Sequence, residues 1–98
     1  MQVLLATLPP EYPNGTPARG RPIAVVSAAN DRIRQVAASE GVVLVDLFQG
    51  LGGTSTPYLG SDGLHLTEAG YHRMAELFFD TIRSRFENAP LLQLFQLP

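Results

Sequence analysis

Asp62 stands three residues before His65 in the stretch Asp62-Gly63-Leu64-His65-Leu66-Thr67-Glu68-Ala69-Gly70-Tyr71, and a carboxylate so near an imidazole can prepare it for proton transfer. A neutral imidazole takes a proton from a nucleophile only if its other ring nitrogen is held protonated and the cation that forms is stabilised. A carboxylate does both. Three residues of separation across a turn containing Gly63 let the Asp62 side chain fold back to one nitrogen of His65 and leave the second free. The positive end of the helix that follows works against an imidazolium, so the carboxylate is needed all the more. Asp62 and His65 are therefore the candidate catalytic residues.

The spacing by itself is weak: with four Asp and two His in 98 residues, some Asp precedes some His by three in about 8% of such compositions. The setting adds what the spacing lacks, since the pair follows a loop, opens a long helix, and has Gly63, Thr67 and Gly70 around it. No serine sits on a recognisable nucleophile turn, neither Gly-x-Ser-x-Gly nor Gly-Asp-Ser. Ser27, Ser39 and Ser84 fall inside predicted helices, where hydroxyls are more often solvated than nucleophilic. Ser55 and Ser61 lie in the loop before Asp62, without the strained turn and donor pair that acyl transfer needs. His72 follows His65 by seven residues, unlike the i, i+4 pair of a zinc helix, and is expected on the solvent face near Glu76. The residues call for no cofactor and no metal.

The elements that must position the pair can be read from periodicity. Val3 to Leu8 is a continuous apolar run stopped by Pro9-Pro10, the pattern of a parallel strand covered on both faces. Residues 9–22 carry five prolines and Asn14-Gly15, which forbid a regular element and mark a loop bordering a site. Within Ile23 to Glu40, the positions Val26, Ala29, Ile33, Val36 and Ala37 recur at helical spacing, with Gly41 at the left-handed cap. Val42 to Leu47 is a second β-branched run, so the order strand, helix, strand predicts a right-handed βαβ crossover. Phe48 to Gly53 suggests a short helical turn, and residues 52–63 form the loop that delivers Asp62 and His65. Both loops leave the carboxyl ends of their strands, where open α/β sheets bind ligands. A last helix is predicted from Glu68 to Phe86, capped by Thr67, with Tyr71, Met74, Ala75, Phe78 and Ile82 as its buried stripe. Leu91, Leu92, Leu94, Phe95 and Leu97 make an apolar tail after Pro90.

Composition bounds the rest. Hydrophobic residues at 45% and charged residues at 16% describe an ordinary globular chain, of a length that suits one domain, residues 1–98. The basic residues are seven scattered arginines and the formal charge is −2, which argues against nucleic acid as a partner. Cysteine is absent; this excludes disulfides and thiolate metal sites and leaves the compartment open. No run approaches the roughly 18 apolar residues of a spanning helix, and the first residues lack the basic-then-apolar pattern of a secretion signal, so a soluble chain is expected.

The block Asp62 to Tyr71 resembles the final signature block of the SGNH, or GDSL-type, serine esterases and lipases, and the unit ending in Val42 to Leu47 resembles the last two strands of that fold. The resemblance spans residues 2–87, leaving 88–98 as the tail. It implies a partial flavodoxin-like three-layer α/β sandwich with parallel strands, carboxylic ester hydrolysis on a small-molecule ester, and the triad Asp and His at Asp62 and His65. The family's nucleophilic Ser and first oxyanion donor sit in a Gly-Asp-Ser block, a Gly donor follows, and an Asn donor sits in a Gly-x-Asn-Asp block. None of these three blocks occurs here; Asn14 lies in another context, and Asn30-Asp31 falls within the crossover helix.

Two strands and two helices leave one strand edge unpaired and a sheet face thinly covered. A partner is therefore expected: the N-terminal half of the same fold, which would restore a catalytic site, or a second copy of the chain, which would not. The two functional expectations follow from this. In one the chain is the C-terminal portion of an esterase, supplying only Asp and His; in the other it is a noncatalytic, self-associating α/β module that retains the pair as a remnant.

Overall fold

The computed structural model of the chain describes residues 2–87; the expected apolar tail lies outside the described residues. Strands β1 (Leu4–Ala6) and β2 (Val43–Val45) pair in parallel, with Leu4 opposite Val43, Leu5 opposite Leu44 and Ala6 opposite Val45. Helix α1 (Ile23–Glu40) connects them. It stops at Gly41, whose φ of 67° is left-handed and whose N–H returns to the Ala37 carbonyl, the conformation glycine adopts without a Cβ penalty. The fold is α/β, with the parallel strand–helix–strand order of a partial flavodoxin-like arrangement. Among the described residues no helix is long and apolar enough to cross a membrane.

Strand alternation sends Leu4, Ala6 and Val45 to one face of the sheet. There they meet α2 (Leu47–Gly50) and α3 (Glu68–Ile82) in a core built on Val45, Leu47, Leu51 and Leu66, with Tyr58, Leu59, Met74, Leu77 and Phe78 against it. Helix α1 contacts both strands and buries Val26, Asn30 and Ala37. The strands are less covered than their apolar runs predict: all of β1 is half-buried and Val3 is exposed. Among the described residues the pleat has α1 on one side and α2 with α3 on the other, too little to seal both faces of both strands. Among the described residues β1 has β2 as its one strand neighbour.

Two helix faces differ from the periodicity. On α1, Asn30 takes a core position while Val36 is exposed. The Asn30 amide faces β1's exit, its Oδ1 accepting from Leu8 N at 2.7 Å and its Nδ2 donating to Leu8 O at 3.1 Å. Both ends of a buried amide are thus satisfied. On α3, Met74, Leu77 and Phe78 face the core, whereas Tyr71, Ala75 and Ile82 of the predicted stripe are exposed. At Gly70 a Cβ would stand 2.9 Å from Leu66 Cβ, Tyr58 Cβ and Tyr58 O, so the helix backbone packs directly against Leu66 and Tyr58 at that point. The regular α-helix gives way to a π turn at Arg83–Glu87.

The carboxyl edge of the sheet is tied by a polar network. Thr7, buried just beyond β1, donates from Oγ1 to Asp46 Oδ1 at 3.1 Å and accepts from Phe48 N at 2.9 Å. Asp46, just beyond β2, also accepts from Arg34 Nε and Nη2 on α1, at 3.1 and 3.2 Å, and caps α2 through Gln49 N. Burial pushes the Asp46 carboxyl up, but the bonds from Arg34, Gln49 and Thr7 outweigh this and hold it below its ordinary value. One carboxylate therefore joins β1, β2, α1 and α2 at the edge from which both long loops depart.

Candidate active site

Residues 58–67 fold back on themselves before α3. Leu59 and Leu66 form an antiparallel bridge, Gly60 N donates to His65 O at 2.8 Å, and Thr67 N donates to Tyr58 O at 2.7 Å. Asp62 and Gly63 occupy the tip. Thr67 then caps α3, its hydroxyl accepting from Gly70 N at 3.1 Å, and Glu68 lies in the positive first turn. The cap expected from sequence is formed, and it fixes where His65 sits relative to the helix.

At the tip the Asp62 carboxylate divides its two oxygens. Oδ1 accepts from the backbone N–H groups of Leu64 and His65, each at 2.9 Å, an Asx turn that fixes the side chain to its own backbone. Oδ2 is left to the His65 ring, with Nδ1 at 2.6 Å, a charge-assisted distance. The hydrogen bond from His65, then those from the Leu64 and His65 N–H groups, hold the Asp62 carboxyl well below the usual carboxylate range. An ionised carboxylate only accepts, so the proton of a neutral His65 ring must be on Nδ1, and the Nε2 lone pair is free. The His65 side chain is 66% exposed and that of Asp62 29%. The ring nitrogen able to accept a proton thus belongs to a solvent-accessible side chain anchored by a fixed carboxylate.

The proline-rich loop 9–22, which leaves the same carboxyl edge of the sheet, packs directly on this tip. Tyr12 N donates to Gly63 O at 3.0 Å and Asn14 Nδ2 donates to Ser61 O at 2.8 Å. Gly63 has φ 73°, and a Cβ on it would overlap the Tyr12 carbonyl. The loop is closed on itself by buried Glu11, whose Oε1 accepts from Arg21 N at 2.7 Å and pairs with Arg21 Nε at 3.3 Å.

The other sequence candidates are dispersed. Ser39 and Ser84 donate to carbonyls of their own helical turns, Val36 O and Thr81 O, and Ser61 contributes its backbone carbonyl to Asn14. His72 is exposed on α3 with Nδ1 4.0 Å from Glu76 Oε1, on the solvent face as its position in the helix implies. Sequence reasoning missed the Arg34–Asp46–Thr7 network and the Asn14 contact. An Asp closing a β-branched run just before a short helical turn was a readable capping signal for Asp46; for Asn14 only the turn pair Asn14-Gly15 was visible.

The profile of the GDSL-like Lipase/Acylhydrolase family matches residues 1–73, from the start of the chain through both strands and the Asp62–His65 turn into α3. The chain belongs to the GDSL-like lipase/acylhydrolase family. The match ends at Arg73, so the remainder of α3 lies beyond it. Among curated proteins none matches the chain. Membership makes acyl hydrolysis the family-level activity.

Proposed function

We propose that this chain is part of a carboxylic ester hydrolase in which His65 is the general base and then the general acid, and Asp62 orients and stabilises it. The observation that carries this is the 2.6 Å contact between Asp62 Oδ2 and His65 Nδ1, with Oδ1 already committed to the backbone. The serine hydroxyl and the oxyanion donors come from polypeptide outside these 98 residues, the complementary part of the same fold. That serine's oxygen attacks the ester carbonyl carbon as its proton passes to His65 Nε2. The C–O bond to the alcohol then breaks, the alcohol leaving with that proton. Water repeats the sequence on the acyl-enzyme, so one ester and one water give one acid and one alcohol.

The test is hydrolysis of a short activated acyl ester by the chain, alone and mixed with a separately produced polypeptide carrying Gly-Asp-Ser and Gly-x-Asn-Asp blocks. His65→Ala is expected to lower the mixture's rate by about 10²–10⁴, the contribution of a positioned general base, whereas His72→Ala leaves it unchanged. Equal rates for the parent and His65→Ala would remove the pair from any catalytic role. That result would favour the reading of a self-associating module, to which the exposed Tyr71 and Phe79 on α3 also lend themselves.

A further inference from the structure

Asp62 is tied down on both sides by a segment nearly fifty residues away. The residue before it, Ser61, receives the Asn14 amide on its carbonyl at 2.8 Å, and the residue after it, Gly63, receives Tyr12 N at 3.0 Å. Between these tethers Gly15, at φ 86°, lies so close that an added Cβ would stand 3.3 Å from Ser61 O and 3.5 Å from Asp62 Cα. The segment that does this carries five prolines and is closed by the Glu11–Arg21 pairing. Asp62's own hydrogen bonds are all made within its turn and set the carboxylate against residues 64–65, while the two tethers from loop 9–22 hold the backbone at Ser61 and Gly63 that carries that side chain. Of these, the Tyr12 bond is made by backbone, and Asn14 supplies the side chain.

We infer that Asn14 is a positioning residue: through Ser61 it holds the backbone on which the Asp62 carboxylate is aligned with His65 Nδ1. The inference rests on the reading of Asp62 and His65 as the acid–base pair, and it assigns loop 9–22 the task of keeping the proton on Nδ1. An exposed side-chain bond of this kind biases its two states by a factor of about 3–10, enough to change how often the pair is aligned but too little to unfold the chain.

The experiment is ¹⁵N NMR of the histidine rings in the full chain, comparing the parent with Asn14→Ala and Asn14→Gln. In the parent, neutral His65 is expected as the Nδ1–H tautomer with a slowly exchanging ring proton. Asn14→Ala should speed exchange of that proton about 3- to 10-fold and admit the Nε2–H tautomer, and Asn14→Gln, which retains an amide donor, should return both towards the parent. His72, exposed on α3, is the internal reference and should not move, nor should the melting temperature. Unchanged His65 signals in Asn14→Ala would overturn the inference, and so would a change shared equally by His72 and the melting temperature. Because the readout is ring protonation and not turnover, a chain that hydrolyses no ester still shows whether Asn14 aligns the pair, so failure of this inference and failure of the esterase reading are told apart.

Discussion

Among the described residues, Asp62 and Asp46 are the carboxylates held below their ordinary range, and they are so by different means: Asp62 through its own turn and His65, Asp46 through Arg34, Thr7 and the start of α2. Both are depressed in the folded chain relative to the ordinary value of about 3.9. The unfolded chain therefore binds more protons as pH falls through that range, so the stability these groups contribute is fully present above it and is lost progressively below it. Urea midpoints measured from neutral pH downward should stay level to about pH 5 and then decline. In Asp46→Asn the decline should be shallower, because one of the two depressed groups is gone. An identical slope in the variant would show that Asp46 ionises alike in both states.

The elements position the site through two close backbone approaches that glycine permits. At Gly63 the left-handed φ and the Tyr12 carbonyl both exclude a side chain. Gly70 sets helix propensity against packing. Replacing a glycine in a helix by alanine gains about 1 kcal/mol from propensity, but a Cβ here meets the Tyr58 carbonyl at 2.9 Å, and that oxygen is held by its 2.7 Å bond to Thr67 N. A pinned carbonyl cannot yield as a flexible side chain does. Overpacking of this kind costs about 1–3 kcal/mol, so Gly70→Ala is expected to lower stability on balance and to shift the 58–67 turn. A higher urea midpoint than the parent would show that α3 can slide away from Tyr58 without loss.

At the scale of the molecule, α3 presents apolar side chains over more of its circumference than the sheet can cover. Met74, Leu77 and Phe78 reach the core, while Tyr71, Phe79 and Ile82 remain in solvent, Phe79 at 57%. On the proposed function, this apolar side and the side of β1 that has no strand neighbour among the described residues are the surface left for the complementary half of the hydrolase. Sedimentation of the chain should accordingly give a mass above the monomer's, or a complex when the complementary polypeptide is added, and Phe79→Glu should weaken that association about tenfold with no loss in melting temperature. A well-folded monomer that ignores the complementary polypeptide would contradict the proposal.

The sequence alone determined what is governed by neighbours within a few residues. It set the bounds of α1, the left-handed stop at Gly41, the Thr67 cap, and the three-residue reach by which Asp62 meets His65, because helical periodicity, capping and an Asx turn are closed by contacts at i+2 to i+4. The tertiary structure decided what depends on where distant segments come to lie: which side of α3 faces the core, why Asn30 is buried, and how Thr7, Arg34 and Asp46 converge. It also decided that Asn14 docks on Ser61. Apolar periodicity marks a face able to be buried and says nothing of whether a partner is there to bury it, and a lone polar side chain carries no local signal of a bond made 47 residues away.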